Sequence, residues 1–157
     1  MIGIDTTILV HVEIRESPEH DRASALLQRE VLDAGEELAL APQVLTEFLH
    51  VVTDPRRFER PLTMEHALAK TRFWWNAREV RHVYPTAEST ALFLDWLAQH
   101  QLGRKRLLDT HLAATLWSAG VRRLMTSNLR DVAGFEGFEL LSSKSSIPIY
   151  DLVRNIL

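Results

Sequence analysis

A chain of 157 residues is long enough for one domain and too short for two of ordinary size, and with 46% hydrophobic and 25% charged residues it falls in the soluble globular range and outside the disordered class. The formal net charge of -3 gives no global reason to bind a polyanion, so any nucleic-acid contact must come from local basic clusters. The absence of cysteine removes disulfides and thiolate metal ligands and leaves hard oxygen ligands. Met1-Ile2-Gly3-Ile4-Asp5 is neither a basic nor a long apolar leader, and no later apolar run has the length of a membrane span, so a cytoplasmic chain with no membrane partner is expected.

Ile2-Gly3-Ile4 reads as a strand that ends on Asp5, after which Thr6-Thr7 opens a helix with Ile8, Leu9 and Val12 at helical spacing. After the turn Ser17-Pro18-Glu19, a second helix carries Ala23, Leu26, Leu27 and Val31 and stops at Gly35. Leu38 to Ala41 is the second strand. Pro42 suits the first turn of the next helix, with its stripe of Leu45, Phe48, Leu49 and Val52, and Asp54-Pro55 ends it. A basic loop, Arg56 to Pro61, leads to a helix from Met64 to about Ala77. Val80 to Tyr84 is the third strand, and Thr86-Ala87-Glu88 opens a helix with Leu92, Leu94, Trp96 and Leu97. Gly103-Arg104-Lys105-Arg106 is a basic connector into a helix marked by Leu108, Leu112, Leu116 and Ala119 and stopped by Gly120. Arg123 to Thr126 is the fourth strand, and Phe138 to Leu141 is a fifth at an edge.

Short apolar runs alternating with amphipathic segments predict an α/β fold, with a central, mostly parallel sheet of about four to five strands flanked by helices. One domain is expected over 1–141, followed by a Ser-rich C-terminal tail over 142–157, whose Ile147, Ile149, Tyr150 and Leu152 offer a face to pack on a neighbour.

Asp5, Glu47 and Asp109 each lie where an apolar run meets a helical pattern, and open parallel sheets bind ligands at the C-terminal ends of their strands. Converging carboxylates repel and take up protons unless a cation offsets them, which makes a divalent metal the economical explanation. Each acid also has a plainer role. Asp5 and Asp109 suit helix N-caps. Glu47 falls opposite the centre of its helix's apolar stripe, as a solvated glutamate would, although Val44 and Val51 extend the apolar surface towards it. Asn128 and Asp131 suit a turn after the fourth strand.

Four segments taken together, Ile4-Asp5-Thr6-Thr7-Ile8-Leu9, Val44-Leu45-Thr46-Glu47-Phe48, Leu108-Asp109-Thr110-His111-Leu112-Ala113-Ala114 and Met125-Thr126-Ser127-Asn128-Leu129-Arg130-Asp131, resemble the signature segments of PIN-domain ribonucleases. Within that family the chain most resembles the toxin half of VapBC-type toxin-antitoxin modules, over Ile2 to about Leu141. The resemblance implies a metal-dependent endoribonuclease, with Asp5, Glu47 and Asp109 as acidic residues around Mg²⁺ or Mn²⁺ and with Thr6 and Thr126 as supporting hydroxyls. It also implies an RNA substrate, a cognate antitoxin and a homodimer. The chain departs from the pattern at the fourth site, where Asn128 replaces an aspartate; either Asn128 or Asp131 then completes the catalytic set.

Two basic clusters, Arg56, Arg57 and Arg60 after the Glu47 helix and Arg104, Lys105 and Arg106 before Asp109, are candidates to meet the RNA phosphates, against the plainer reading of solvated loops. His111 reads as a surface or capping group more than a substrate contact. Adjacent indoles in Phe73-Trp74-Trp75 do not easily share one helix face, which puts either one of them at an interface or both in a wide core. A receiver-like module would need paired N-terminal acids and a lysine near Thr126, and a haloacid-dehalogenase-type phosphatase would need a second aspartate two residues after Asp5. The chain has neither. A catalytically inactive PIN-like RNA- or protein-binding module is the alternative that Asn128 keeps open.

Overall fold

The computed structural model describes residues 1–132, 134–135 and 137–143; the tail from 144 onward and the side chain of Asp131 lie outside the described residues. Five short strands, β1 (Ile2–Ile4), β2 (Leu38–Leu40), β3 (Val80–His82), β4 (Arg123–Met125) and β5 (Glu139–Leu141), form one sheet in the order β3-β2-β1-β4-β5, with every pairing parallel. Parallel strands need crossovers. The helices that supply them are α1 (Thr6–Glu13), α2 (His20–Leu27), α3 (Pro42–Val52), α4 (Met64–Trp75), α5 (Ala87–Gln99), α6 (Leu107–Ser118) and the short α7 (Leu129–Val132). Among the described residues no helix is long and apolar enough to cross a membrane.

The central strands are apolar without alternation because both faces are covered. Ile2, Ile4, Leu38, Leu40, Leu124 and Met125 are all buried, whereas the edge strand β3 is half-buried to exposed. The chain builds outward from β1 to β2 and β3, then returns to lay β4 on the other side of β1. That reversal makes the β1/β4 junction a topological switch point, where the connections leave in opposite directions and open a crevice at the C-terminal edge.

Gly3 sets how closely α6 approaches that junction. A Cβ built there would lie 2.7 Å from Leu116 Cδ1 and 3.2 Å from Leu124 Cδ1. Gly3→Ala is therefore expected to destabilise the chain by about 1–3 kcal/mol through overpacking. A shift of the urea midpoint at constant slope would register it, and an unchanged midpoint would mean that Leu116 yields freely.

Several boundaries differ from those expected. The second helix widens after Leu27 into a π-helical turn, Gln28–Asp33, before its stop. The third strand ends at His82 rather than Tyr84, and the fourth helix ends at Trp75 rather than Ala77. The helix marked by Leu108, Leu112, Leu116 and Ala119 begins at Leu107, after a 3₁₀ turn at Arg104–Arg106. Asp109 therefore lies within the first turn instead of capping it; Arg106 occupies the cap position, without a side-chain cap bond. At the other end Gly120, at φ +80°, stops the helix in the left-handed conformation that Gly adopts without a Cβ penalty.

Both indoles of the aromatic run find partners inside the chain. Trp74 is buried, with Nε1 donating to Glu13 Oε1 at 2.7 Å, and Trp75 stacks on His82 with ring centroids 3.6 Å apart. The exposed member is Phe73, at 67%.

Candidate active site

Asp5 follows β1 directly and occupies the N-cap position of α1, yet its side chain makes no cap bond. The capping role is overturned because two better donors compete for the carboxylate. Thr126 Oγ1 donates to Asp5 Oδ2 at 2.7 Å and Thr7 Oγ1 donates to the same oxygen at 2.8 Å. Among the described residues no donor reaches Oδ1 and no basic side chain pairs with Asp5, although it is only 5% exposed. A carboxylate that accepts two hydroxyl bonds on one oxygen is held in one rotamer, with that oxygen committed.

The same hydroxyls bind the two strand ends together. Thr7 Oγ1 accepts the Ser127 N–H at 3.1 Å, Thr126 Oγ1 accepts the Asn128 N–H at 3.0 Å, and Asp5 N–H donates to Met125 O at 3.0 Å. Thr7 was not among the expected site residues. The available signal was a hydroxyl two residues after the first acid, but sequence alone reads such a residue as a helix-starting threonine.

Glu47 is not the solvated residue that periodicity suggests. It is half-buried, and Thr6 Oγ1 donates to Glu47 Oε2 at 2.8 Å. Helix α3 buries Val44, Leu45, Phe48 and Val52 and also leans Val51 against the core, because α1 and α4 both pack against it. An apolar surface that wide turns Glu47 from an outward position into one facing α1. Adjacent threonines thus serve different acids, Thr6 holding Glu47 and Thr7 holding Asp5.

Three observations place Asp109 at the same edge. Leu116 of α6 lies over Gly3, so seven residues earlier Asp109 stands ~10 Å back along the helix, towards the C-terminal ends of the strands. Arg106, at the start of α6, donates from its guanidinium to Arg130 O in α7, just beyond β4, at 3.3 Å. Leu108 and Leu112 share a cleft with Glu47. Asp109 is half-buried on this rim. Asn128 is exposed just after β4, with its backbone N–H donating to Thr126 Oγ1, and Asp131 belongs to α7.

Among the described residues no group of three or more His, Asp and Glu side chains closes to the spacing of a metal site. The donor set nevertheless suits a hard divalent cation, since the buried Asp5 carboxylate, without a basic side-chain partner among the described residues, stands at an edge shared with two further carboxylates, and the chain has no thiolate.

The two basic clusters are placed differently. Arg56 forks onto Asp54, with Nε on Oδ1 and the terminal nitrogen on Oδ2, both at 3.1 Å, and holds that carboxyl below the usual range of an aspartate. Arg57 adds a 3.7 Å contact to Asp54, and Arg60 reaches Glu16 at 3.9 Å, beyond the far end of α1 from Asp5. These arginines are tied to carboxylates of their own neighbourhood. Arg104 and Lys105 are exposed in the turn that leads into α6, on the crevice side of the sheet.

A hydroxyl-clamped acid at a β1/β4 switch point, with further acids on the second and third crossovers, defines a class of small α/β domains, and comparison with known proteins agrees. A model of the PIN domain matches residues 2–133. The chain belongs to the PIN-domain family. Ribonuclease VapC24 of Mycobacterium tuberculosis is 32% identical over 145 residues, covering 86% of this chain and 91% of that protein, and ribonuclease VapC48 of the same species is 30% identical over 139 residues, covering 87% and 92%. Among solved structures, the M. tuberculosis VapC20 toxin, which cleaves the sarcin-ricin loop, superposes with a TM-score of 0.68 at 16% identity, over 86% of this chain and 95% of that one. VapBC2 from Rickettsia felis, bound to a promoter DNA fragment, gives 0.62 at 17% identity, over 90% and 98%. At such identities the structural likeness speaks for the fold.

Proposed function

We propose that the chain is an endoribonuclease toxin that hydrolyses RNA phosphodiester bonds in the crevice between β1 and β4 and is neutralised by a cognate antitoxin. The observation that carries this reading is Asp5, a buried carboxylate gripped through one oxygen by two threonine hydroxyls and lacking a cationic partner among the described residues. The ribonuclease relatives support the reaction class, and the VapBC complexes among the structural relatives support the antitoxin.

Mg²⁺ or Mn²⁺ is the proposed cofactor, held by Asp5 and Asp109 with help from Glu47. Such an ion supplies a water of lowered pKa and offsets charge on the reacting phosphate. The protein does the rest. Thr7 and Thr126 fix the Asp5 carboxylate, Thr6 fixes Glu47, and Arg104 and Lys105 meet the phosphates of the incoming strand. A homodimer acting in the cytoplasm completes the proposal; Phe73, Tyr84 and Leu94, all more than half exposed, supply apolar surface for it.

The test is cleavage of single-stranded RNA by the purified full chain with Mn²⁺, with Mg²⁺ and after chelation. Cleavage that stops on chelation and returns with Mn²⁺ is the expected result; cleavage indifferent to chelation would reject the metal. The fourth site can be separated in the same assay. If Asn128 holds the position that relatives fill with a carboxylate, Asn128→Asp lowers the metal concentration for half-maximal cleavage and Asp131→Asn changes little. If Asp131 turns inward instead, Asp131→Asn raises the requirement and the double variant brings it back. Flat titrations of all three exclude both residues from the site.

A further inference from the structure

A cleft of about 390 Å³ opens between α3 and α6, with Glu47 on one wall beside Gln43 and His50, and with Leu108, His111 and Leu112 opposite. We infer that it is a subsite for one unpaired nucleobase of the RNA, next to the scissile phosphate; this rests on the nuclease reading above.

The lining argues for a base. Among the described residues that line it there is no lysine or arginine, and Glu47 would repel a phosphate entering this space. Val44, Leu108 and Leu112 give apolar surface, while Gln43, His50 and His111 give amide and imidazole groups able to donate and accept. That mixture of apolar walls and a few polar groups, in a space of this size, is what small planar ligands fill. Unpaired RNA bases are recognised by such means, stacked on imidazole or aromatic planes and hydrogen-bonded along their edges.

Two of the polar groups are fixed in advance. Gln43 Nε2 donates to Thr115 Oγ1 at 3.3 Å, which pins the amide across the two helices, and His111 packs edge-on against Phe93 with ring centroids 5.2 Å apart. Glu47, anchored by Thr6, joins the cleft to the acidic crevice, so a base seated here belongs to a nucleotide at or beside the cut. A base paired in a duplex could not enter. The cleft therefore selects unpaired RNA and prefers some bases over others at one position.

The test is cleavage of an RNA pool randomised around a single susceptible loop, with the new ends sequenced. The wild-type chain is expected to show a base preference at one position flanking the cut, and Gln43→Ala and His111→Ala each to flatten it roughly tenfold while preferences elsewhere persist. A second readout needs no cleavage: a 2-aminopurine base at that position should be quenched on binding to an Asp5→Asn chain, and the quench should be lost when His111→Ala is added. Cleavage with unaltered preferences in both variants overturns the subsite, as does a Leu108→Asp chain of lower oligomeric state in sedimentation, which assigns the cleft to a second copy. Retained quenching without any RNA cleavage by the wild-type chain would instead reject the nuclease reading and leave the base site standing.

Discussion

Asp5→Asn is expected to lower RNA cleavage by roughly a thousandfold or more, the several kcal/mol that charge stabilisation at a metal-assisted centre supplies. It should not unfold the chain. Asparagine keeps an oxygen that can accept from both Thr7 and Thr126, and no ion pair among the described residues depends on the lost charge. Because Asp5 is buried, removing its charge also relieves a desolvation cost, so the thermal midpoint should hold or rise slightly. Single-turnover cleavage measured beside a melting curve checks both halves. Cleavage retained within tenfold by a folded variant would end the assignment of Asp5 to catalysis.

Thr7→Val should produce the second largest effect, at a residue that touches no substrate in the proposed scheme. Valine keeps the shape but removes the hydroxyl that both donates to Asp5 Oδ2 and accepts the Ser127 N–H. The orphaned N–H costs about 1–3 kcal/mol of stability. The freed carboxylate should raise the Mn²⁺ concentration needed for half-maximal cleavage by roughly ten- to a hundredfold, the usual cost of losing a group that orients a ligand. Direct titration of Mn²⁺ binding by calorimetry gives the same shift without relying on turnover, and Thr7→Ser should restore it. Lower stability with an unmoved Mn²⁺ requirement would make Thr7 a purely structural tie.

Both predictions depend on hydrogen bonds between residues as much as 121 positions apart in the chain, and here sequence and structure divide. The alternation of apolar runs with helical spacing was enough to predict a parallel sheet, because strands buried on both faces must be apolar throughout and their crossovers must be amphipathic. The same reasoning brought Asp5 and Asp109 to the ends of elements, where an open sheet binds ligands. It failed for Glu47. Periodicity treats a helix as having one buried face, and α3 has neighbours on more than one side.

Capping was likewise a local inference. Asp5 stands where a cap would, yet its carboxylate turns to two hydroxyls, one of them just after β4, and Asp109 lies inside the first turn of its helix and not at the cap. The sequence by itself determined the fold class, the order of the elements and the residue types available for chemistry, since these follow from patterns within a few turns of chain. Only the tertiary structure decided which hydroxyl holds which acid, that Thr7 joins Thr126 on the Asp5 carboxylate and that Arg56 is already engaged by Asp54. Those outcomes turn on competition among donors brought together by folding, and no local pattern records the winner.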